Sequence, residues 1–170
     1  MSKVKYKIIL FYKFIGIRSP NKLKVEQMAL CQKLALKGRV LLAREGINAT
    51  LEGTEVAINK YKRALKKNKL FKDMVFKESA GNGNAFPKMV VKVRVEVVTL
   101  GAGKLNIKKD TAKTITAGEM ERLYKKNVDF AVLDLRNNYE VMVGQFKNTI
   151  NPNLQNFREL PEKLKSLKHL

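Results

Sequence analysis

Near the end of the chain, a short apolar run is followed directly by two oppositely charged side chains. Residues 131–133 are apolar, Asp134 and Arg136 come next, and Glu140 lies four residues further on. Polar residues at the end of a buried strand commonly build a site at the carboxyl edge of a sheet. Arg136 could pair there with phosphate or substrate, although such a pair more often fixes its own loop by hydrogen bonds. Glu140 favours the start of the next helix through the helix dipole, and that role alone can explain it.

A second group of candidate residues is basic or amide-bearing and lies in the first half of the chain. Three of them flank a predicted hairpin, where arginine suits phosphate contact and asparagine near a glycine suits turn geometry. The other three belong to a basic run on a predicted helix, which is either a solvated face or an electrostatic track for RNA. The RNA-binding candidates are Arg39, Arg44 and Asn48 at the hairpin and Lys62, Arg63 and Lys66 on the helix.

The charge of the chain supports a polyanionic partner. Thirty-five Lys and Arg residues against 15 Asp and Glu give a formal net charge of +20. Residues 1–98 hold 22 basic and 7 acidic side chains, a net charge of +15, whereas residues 99–170 hold a net charge of +5. Such a charge points to phosphate backbones or to an anionic membrane surface, and we favour nucleic acid. No stretch approaches the roughly 18 apolar residues that a membrane span requires.

Other reactive residue types give little support for a metal or nucleophile site. Cys31 is the only cysteine and lies in an apolar run, so we predict a small buried side chain, no disulfide and a reducing, cytoplasmic location. His169 is the only histidine and has no neighbouring ligands, so no metal site is predicted. The stretch Gly101–Lys104 lacks the spacing of a phosphate-binding loop. No cofactor is evident from the sequence.

The elements that would position these residues follow from hydrophobic periodicity and turn signals. Their order, βαββαβ plus a strand, predicts an α+β ferredoxin-like domain over residues 1–100, with two helices on one face of an antiparallel sheet. The first helix places Val25, Met28 and Ala29 at core spacing and stops at Gly38. The predicted strands are Lys5–Phe14, Arg39–Ala43, Ile47–Leu51, Phe71–Lys77 and Met89–Val98, and the helices are Leu23–Leu36 and Glu55–Lys67.

Aromatic residues are concentrated on the first predicted strand. They could supply base stacking in an RNA site, but aromatic residues on a first strand usually belong to the core. We therefore predict a core role for Tyr6, Phe11, Tyr12 and Phe14.

The remaining sequence predicts a polar linker at residues 101–114 and an α/β unit at residues 115–170. Thr116 and Glu119 form a capping-box pattern that starts a helix running to about Lys126. Residues 129–133 predict a short strand covered on both sides, and a short helix closed by Gly144 follows the charged turn. A last helix is predicted from residue 157 onward. One or two strands leave open edges, so we expect this unit to be weakly stable.

Several stretches together resemble the rhodanese-domain tRNA uridine hydroxylases. The most distinctive of them, GRVLLAREGINATLEG, covers residues 38–53, and the similarity runs over nearly the whole chain. The stretches are Phe11–Phe14, Gly38–Ala49, Lys88–Arg94, Asp134–Glu140 with Gly144 and Phe146, and Phe157–Glu159.

The resemblance implies a ferredoxin-like domain followed by an incomplete α/β rhodanese-like domain. It also implies oxygen-dependent conversion of the wobble uridine of certain tRNAs to 5-hydroxyuridine, with molecular oxygen as co-substrate and the anticodon arm of tRNA as partner. Asp134, Arg136 and Glu140 would then lie at the active-site mouth or support it. The reactive cysteine of that family belongs to a later loop with no counterpart here, and Gln145 stands where rhodanese-like domains usually have histidine.

We therefore expect no catalytic residue in this chain, which resembles an inactive fragment of the enzyme. Two alternatives stay open at this point. A rhodanese-type sulfurtransferase would need the same missing cysteine, and transfer to a small acceptor does not require the large positive charge. A non-catalytic RNA-binding protein becomes the best interpretation if Leu170 is the natural end.

Overall fold

The computed structural model describes residues 4–98, 100, 112–126 and 128–167. The chain divides into two compact units, Met1–Val97 and Val98–Leu170, called here the N-terminal and C-terminal units. Most of the predicted linker, residues 101–111, lies outside the described residues, as does His169.

The N-terminal unit is a mixed α+β fold built on one five-stranded sheet. The strand order is β4-β1-β3-β2-β5, and the first three pairings are antiparallel, whereas β5 runs parallel to β2. The prediction of a wholly antiparallel sheet is therefore wrong at this one edge. The strands are β1 (Tyr6–Phe14), β2 (Lys37–Ala43), β3 (Gly46–Thr54), β4 (Lys77–Gly81) and β5 (Met89–Val93).

Two helices cover one face of this sheet, in the predicted order βαββαβ plus a strand. Helix α1 spans Pro20–Lys33 and helix α2 spans Glu55–Lys67, the predicted bounds of the second helix. Thr54 starts α2, because its hydroxyl accepts a hydrogen bond from the Ala57 backbone N–H at 3.3 Å. Since β3 leads directly into α2, this cap also fixes where the strand ends.

The core of the N-terminal unit lies between the sheet and the helices. Alternate residues of the strands, such as Ile9 and Phe11, meet Ile58, Tyr61 and other helix residues in one buried cluster. The Tyr61 hydroxyl donates a 2.6 Å hydrogen bond to Gln27 Oε1, so α1 and α2 share a buried polar contact inside an apolar cluster.

Helix α1 ends earlier than the sequence predicts, and Gly38 does not stop it. The chain reverses at Ala35, which has a φ of 51°, and the Leu36 N–H bonds to the Cys31 carbonyl at 2.9 Å. This is a Schellman motif with alanine in the left-handed position that glycine usually takes. Gly38 lies inside β2 with a φ of 129°, where a Cβ would approach the Thr50 carbonyl oxygen to 2.2 Å. The close approach of β2 and β3 therefore requires a glycine at this position.

The buried side of α1 also differs from the predicted one. Leu23, Gln27 and Cys31 face the sheet, four residues apart, whereas Val25 is 68% exposed. The apolar periodicity did not predict the buried side of α1, because that side includes Gln27. The Tyr61 hydroxyl donates a hydrogen bond to the Gln27 side chain and so compensates its burial.

The predicted strand at residues 71–77 is wrong. A 3-10 turn spans Lys69–Phe71, capped by the Asn68 side chain, and β4 begins only at Lys77. Phe71 and Met74 are both buried, and their spacing of three suits a turn rather than an alternating strand.

The C-terminal unit is a small α/β arrangement around two parallel strands. Thr116 starts its first helix with the predicted capping box, in which Glu119 bonds back to the Thr116 N–H. Leu133 is 39% exposed, so the predicted strand covered on both sides is wrong in this respect. The described elements are α3 (Ala117–Lys125), β6 (Val132–Leu133), α4 (Asn138–Val141), β7 (Thr149–Ile150), a 3-10 turn (Phe157–Glu159) and α5 (Leu160–Ser166).

Candidate functional site

The charged turn after β6 is held together by an ion pair. Asp134 is buried, and Arg136 Nε donates to its Oδ1 at 2.8 Å while Nη2 donates to Oδ2 at 2.5 Å. These hydrogen bonds lower the pKa of the Asp134 carboxyl and raise the pKa of the Arg136 guanidinium. Both groups therefore remain charged at neutral pH, and the pair favours one conformation of the turn.

Arg136 also closes the loop that follows. Its guanidinium donates to the Gly144 carbonyl at 2.7 Å and to the Glu140 carbonyl at 3.3 Å. The Glu140 carboxylate in turn accepts the Asn137 N–H at 3.1 Å and caps helix α4. The structure thus brings Asp134, Arg136 and Glu140 together and gives each a contact that positions the loop.

This loop borders an open depression of about 650 Å³. Asp134 and Arg136 line it together with β6, and Gln145 and Phe146 form its other side. The Arg136 guanidinium beside this depression is already bonded to Asp134 and to the Glu140 and Gly144 carbonyls, so its charge is paired within the loop.

The predicted RNA-binding residues do not form one cluster. Arg39 and Asn48 point away from the helices, on the uncovered side of the sheet, which we call the open face. Arg44 lies at the β2–β3 turn, where it borders a separate depression with Arg18 and Arg94. The helix candidates Lys62, Arg63 and Lys66 lie on α2, in the layer on the opposite side of the sheet.

Two of the helix cations already have partners within the N-terminal unit. Lys62 forms an ion pair with Glu78 and lies 5.6 Å from the centre of the Phe76 ring, and Lys66 lies 5.7 Å from the same ring. Lys62 and Lys66 are therefore already in contact with groups of the same unit. The exposed guanidinium of Arg39, by contrast, has no partner among the described residues.

Sequence reasoning assigned the aromatic residues of β1 to the core, and this is wrong for two of them. Phe11 is buried, but Tyr12 is 60% and Phe14 40% exposed on the open face. Tyr6 is half-buried, with Gly83 against its ring. The alternation of side chains along a strand could have predicted this. If Phe11 faces the core, Tyr12 and Phe14 must face the other side of the sheet.

Sequence reasoning also missed Glu52, a carboxylate that is 1% exposed. Its oxygens accept the backbone N–H groups of Asn82, Gly83 and Ala85 at 2.8–3.0 Å. Three donors compensate the buried charge and fix the loop after β4. The sequence of Gly81–Asn84 predicts a loop here, but no local pattern indicates that Glu52, about 30 residues earlier, binds this loop.

Cys31 is buried as predicted, and burial raises the pKa of its thiol to about 12. Such a thiol stays protonated at neutral pH and is a poor nucleophile. Within the described ranges, no cluster of three or more His, Cys, Asp or Glu side chains is placed to hold a metal ion. None of the helices in those ranges has the length and apolarity needed to cross a membrane.

The N-terminal unit defines the class of this protein. Residues 6–97 match the model of the UPF0176 acylphosphatase like domain, and the chain belongs to that family.

Curated relatives extend the similarity through the C-terminal unit. A Cytophaga hutchinsonii protein is 38% identical over 165 residues, which cover 97% of this chain and 53% of the relative. A Listeria monocytogenes protein is 40% identical over 92% of this chain and 49% of its own length. A protein of Aster yellows witches'-broom phytoplasma is 36% identical over 99% and 55%, respectively. All three are named tRNA uridine(34) hydroxylase, and this chain spans about half their length.

Solved structures add no functional argument. The BLUF protein BlrB in its dark state overlaps 71% of this chain and 84% of its own, with a TM-score of 0.48 and 16% identity. This similarity is too low to bear on fold or function.

Proposed function

We propose that this chain acts in tRNA modification, in the oxygen-dependent hydroxylation of the wobble uridine 34 to 5-hydroxyuridine. The observation that carries the proposal is the 36–40% identity to proteins named tRNA uridine(34) hydroxylase, which runs through both units. Because this chain spans about half the length of those relatives, the activity of the whole protein is itself part of the proposal. Molecular oxygen is the proposed co-substrate, and the anticodon arm of tRNA is the proposed partner.

In this proposal the N-terminal unit is a ferredoxin-like docking domain for tRNA. Its sequence carries most of the positive charge of the chain, with a net charge of +15 over residues 1–98. Phosphate contacts by Lys and Arg supply much of the affinity of any protein for RNA and set its position on the strand. The large charge on this unit is a reason to assign binding to it.

The C-terminal unit is proposed to be part of a rhodanese-like domain, with Asp134, Arg136 and Glu140 shaping the mouth of its site. The ion pair and the cap hold that loop in one conformation. Cys31 is unsuited to act as the nucleophile, because its thiol is buried and has a pKa of about 12. We therefore propose that the residues of this sequence bind tRNA and do not react covalently with it.

Filter binding of a whole tRNA across a salt series tests the docking role. We expect affinity to fall steeply with salt, and replacing Lys62, Arg63 and Lys66 with alanine to reduce the slope by about 2–3, because each lost phosphate contact contributes about 0.7–0.9. The matched control replaces the exposed lysines of α1, Lys22, Lys24 and Lys33. A slope unchanged in the α2 variant would remove that helix from the tRNA site. Equal affinity for tRNA and double-stranded DNA would overturn the docking role.

Nucleoside analysis of tRNA incubated in air with the chain tests the assignment of chemistry. We expect bound tRNA without new 5-hydroxyuridine, since no thiolate is available from Cys31. Formation of 5-hydroxyuridine that survives Cys31→Ser would show that another residue of this sequence performs the reaction.

A further inference from the structure

The open face of the sheet carries an exposed aromatic pair on an interior strand. Residues two apart on a strand point to the same side, so Leu10, Tyr12 and Phe14 share this face while Ile9 and Phe11 enter the core. The three exposed side chains have 38%, 60% and 40% of their surface accessible, respectively. Such a row of large apolar groups on an uncovered sheet face indicates a binding surface.

Strand register places polar and basic residues in the same rows as these side chains. Tyr12 lies opposite Asn48, which lies opposite Leu41, and Leu41 is paired with Lys92 on β5. The neighbouring row runs from Lys77 through Leu10 and Thr50 to Arg39 and Val90. These two rows therefore hold three cations and no acidic residue.

The cations on the open face are free to take a ligand. Arg39, Lys77 and Lys92 are exposed, and none of them has an ion-pair partner among the residues that the structure describes. On the helix side, by contrast, Lys13 pairs with Asp73 and Lys62 with Glu78. The uncompensated charge of the sheet is thus concentrated on the face that also exposes its aromatic rings.

We propose that this open face binds single-stranded RNA, with bases stacked on Tyr12 and Phe14 and with Arg39 and Lys92 contacting the flanking phosphates. Base stacking on aromatic residues of a sheet, next to basic side chains, is how single-stranded RNA is held by proteins. Tyr12 and Phe14 lie about 7 Å apart along the strand, so each ring can take a separate base. Asn48, beside Tyr12, offers an amide to a base edge.

The charge on this face favours RNA over a protein partner. Arg39, Lys77 and Lys92 lie in these rows without an acidic residue, and such a surplus of positive charge suits the phosphates of RNA. Duplex RNA does not present the flat surface of its bases, so the aromatic rings specify unpaired nucleotides. The inference rests on the proposed tRNA-docking function and deepens it, since an anticodon loop consists of unpaired nucleotides.

Fluorescence anisotropy with a labelled single-stranded RNA of about ten nucleotides, and with the same sequence as a duplex, tests the stacking. We expect Tyr12→Ala and Phe14→Ala each to weaken single-strand binding about tenfold, and Tyr12→Phe to stay within about twofold of the parent chain. Duplex binding should change little. Val25→Ala, which removes an exposed apolar side chain on α1, is the control and should have no effect.

The salt dependence separates stacking from charge. Arg39→Ala combined with Lys92→Ala should reduce the slope of log affinity against log salt by about 1.4, because each phosphate contact on a single strand contributes about 0.7. Tyr12→Ala should leave that slope unchanged while lowering affinity at every salt concentration. Lys22→Ala combined with Lys24→Ala is the charge-matched control. Far-UV circular dichroism of each variant verifies that the exposed substitutions leave the fold intact.

The outcomes distinguish this inference from the proposed function. If Tyr12→Ala and Phe14→Ala bind tRNA and single-stranded RNA like the parent chain, the open face is not the RNA site, although docking through another surface survives. If the parent chain binds neither RNA, both proposals fail. A self-associated state in sedimentation that Tyr12→Ala abolishes, with RNA affinity unchanged, would identify the face as a protein contact and overturn the inference.

Discussion

The N-terminal unit encloses a continuous apolar core, whereas the C-terminal unit relies heavily on polar contacts around its charged turn. Residues from β1, β2, β3 and β5 meet both large helices in one buried cluster. In the C-terminal unit the buried aliphatic side chains among the described residues are Val141, Leu154 and Leu160, and a buried Asp134 lies among the residues that shape the loop. The sheet of one unit and the loop at the candidate site of the other are therefore stabilised by different forces. Substitutions should therefore act through cavities in one unit and through lost hydrogen bonds in the other.

The largest effect is expected from Phe71→Ala in the N-terminal unit. Phe71 is completely buried in the core cluster, so its truncation should lower the free energy of unfolding by about 3–5 kcal/mol. Urea denaturation followed by circular dichroism measures this change. Val75→Ala, at a side chain 78% exposed, should change stability little. A loss below about 1 kcal/mol for Phe71→Ala would contradict a tightly packed core.

Tyr61→Phe tests the buried hydrogen bond between α1 and α2. Removing the hydroxyl leaves Gln27 Oε1 buried without its donor, which should cost about 1–3 kcal/mol. The double variant Tyr61→Phe with Gln27→Leu should recover part of this loss, because both polar partners are then gone. If the single and double variants have equal stability in urea denaturation, the hydrogen bond contributes nothing specific.

Asp134→Asn tests the polar loop of the C-terminal unit and should reduce its local stability by about 1–2 kcal/mol. Hydrogen exchange at residues 136–144 measures the effect, with Asp129→Asn as the exposed control.

Arg136 lowers the pKa of the Asp134 carboxyl below its ordinary value of 3.8. The ion pair therefore stabilises the folded loop above about pH 4, and this contribution is lost as the pH falls further, through the lowered pKa. Asp134→Asn should lack that acid-sensitive component, and an identical pH profile in both proteins would sink this account.

Thr116→Ala should have the smallest effect, about 1 kcal/mol, because it removes the side chain that caps α3. Exchange protection over residues 117–125 should fall in Thr116→Ala and remain in Thr116→Ser. Thr114→Ala, at an exposed position just before the cap, serves as the control. If Thr116→Ala lost as much stability as Phe71→Ala, the proposed difference between the two units would be wrong.

Exchange at β6 tests the weak stability expected of the C-terminal unit. Among the residues that the structure describes, the strand partners of Val132 and Leu133 are Thr149 and Ile150, and Leu133 is partly exposed. We expect little protection at these two amides relative to those of β3, and strong protection would contradict the expectation.

Much of the local structure could be predicted because its signals are local. The bounds of α2, the capping box at Thr116 and the order of elements in the N-terminal unit follow from periodicity, caps and turn residues. Errors arose where a distant contact decided the outcome. Ala35 took the left-handed position in place of the predicted Gly38, and Phe71 entered the core from a 3-10 turn. Both depend on what packs against the segment, which a window of sequence does not contain.

The candidate site shows the same division. The Asp134–Arg136 pair was predictable as a loop-fixing contact because the two residues lie on one turn. The six predicted RNA-binding residues are all exposed or partly exposed, but which of them share a surface was not predictable from the sequence. Alternating side chains on paired strands decide which residues share a face, so Arg39 and Asn48 joined Tyr12 instead of Lys62.

The charge of each unit, the order of elements in the N-terminal unit and the family resemblance could be read from the amino-acid sequence, because they depend on composition and on short-range patterns. The exposure of Tyr12 and Phe14, the burial of Glu52 among three backbone donors and the pairing of Lys62 become visible only in the folded chain. Those outcomes depend on strand register and on helix coverage of one side of the sheet, which bring together residues far apart in the sequence.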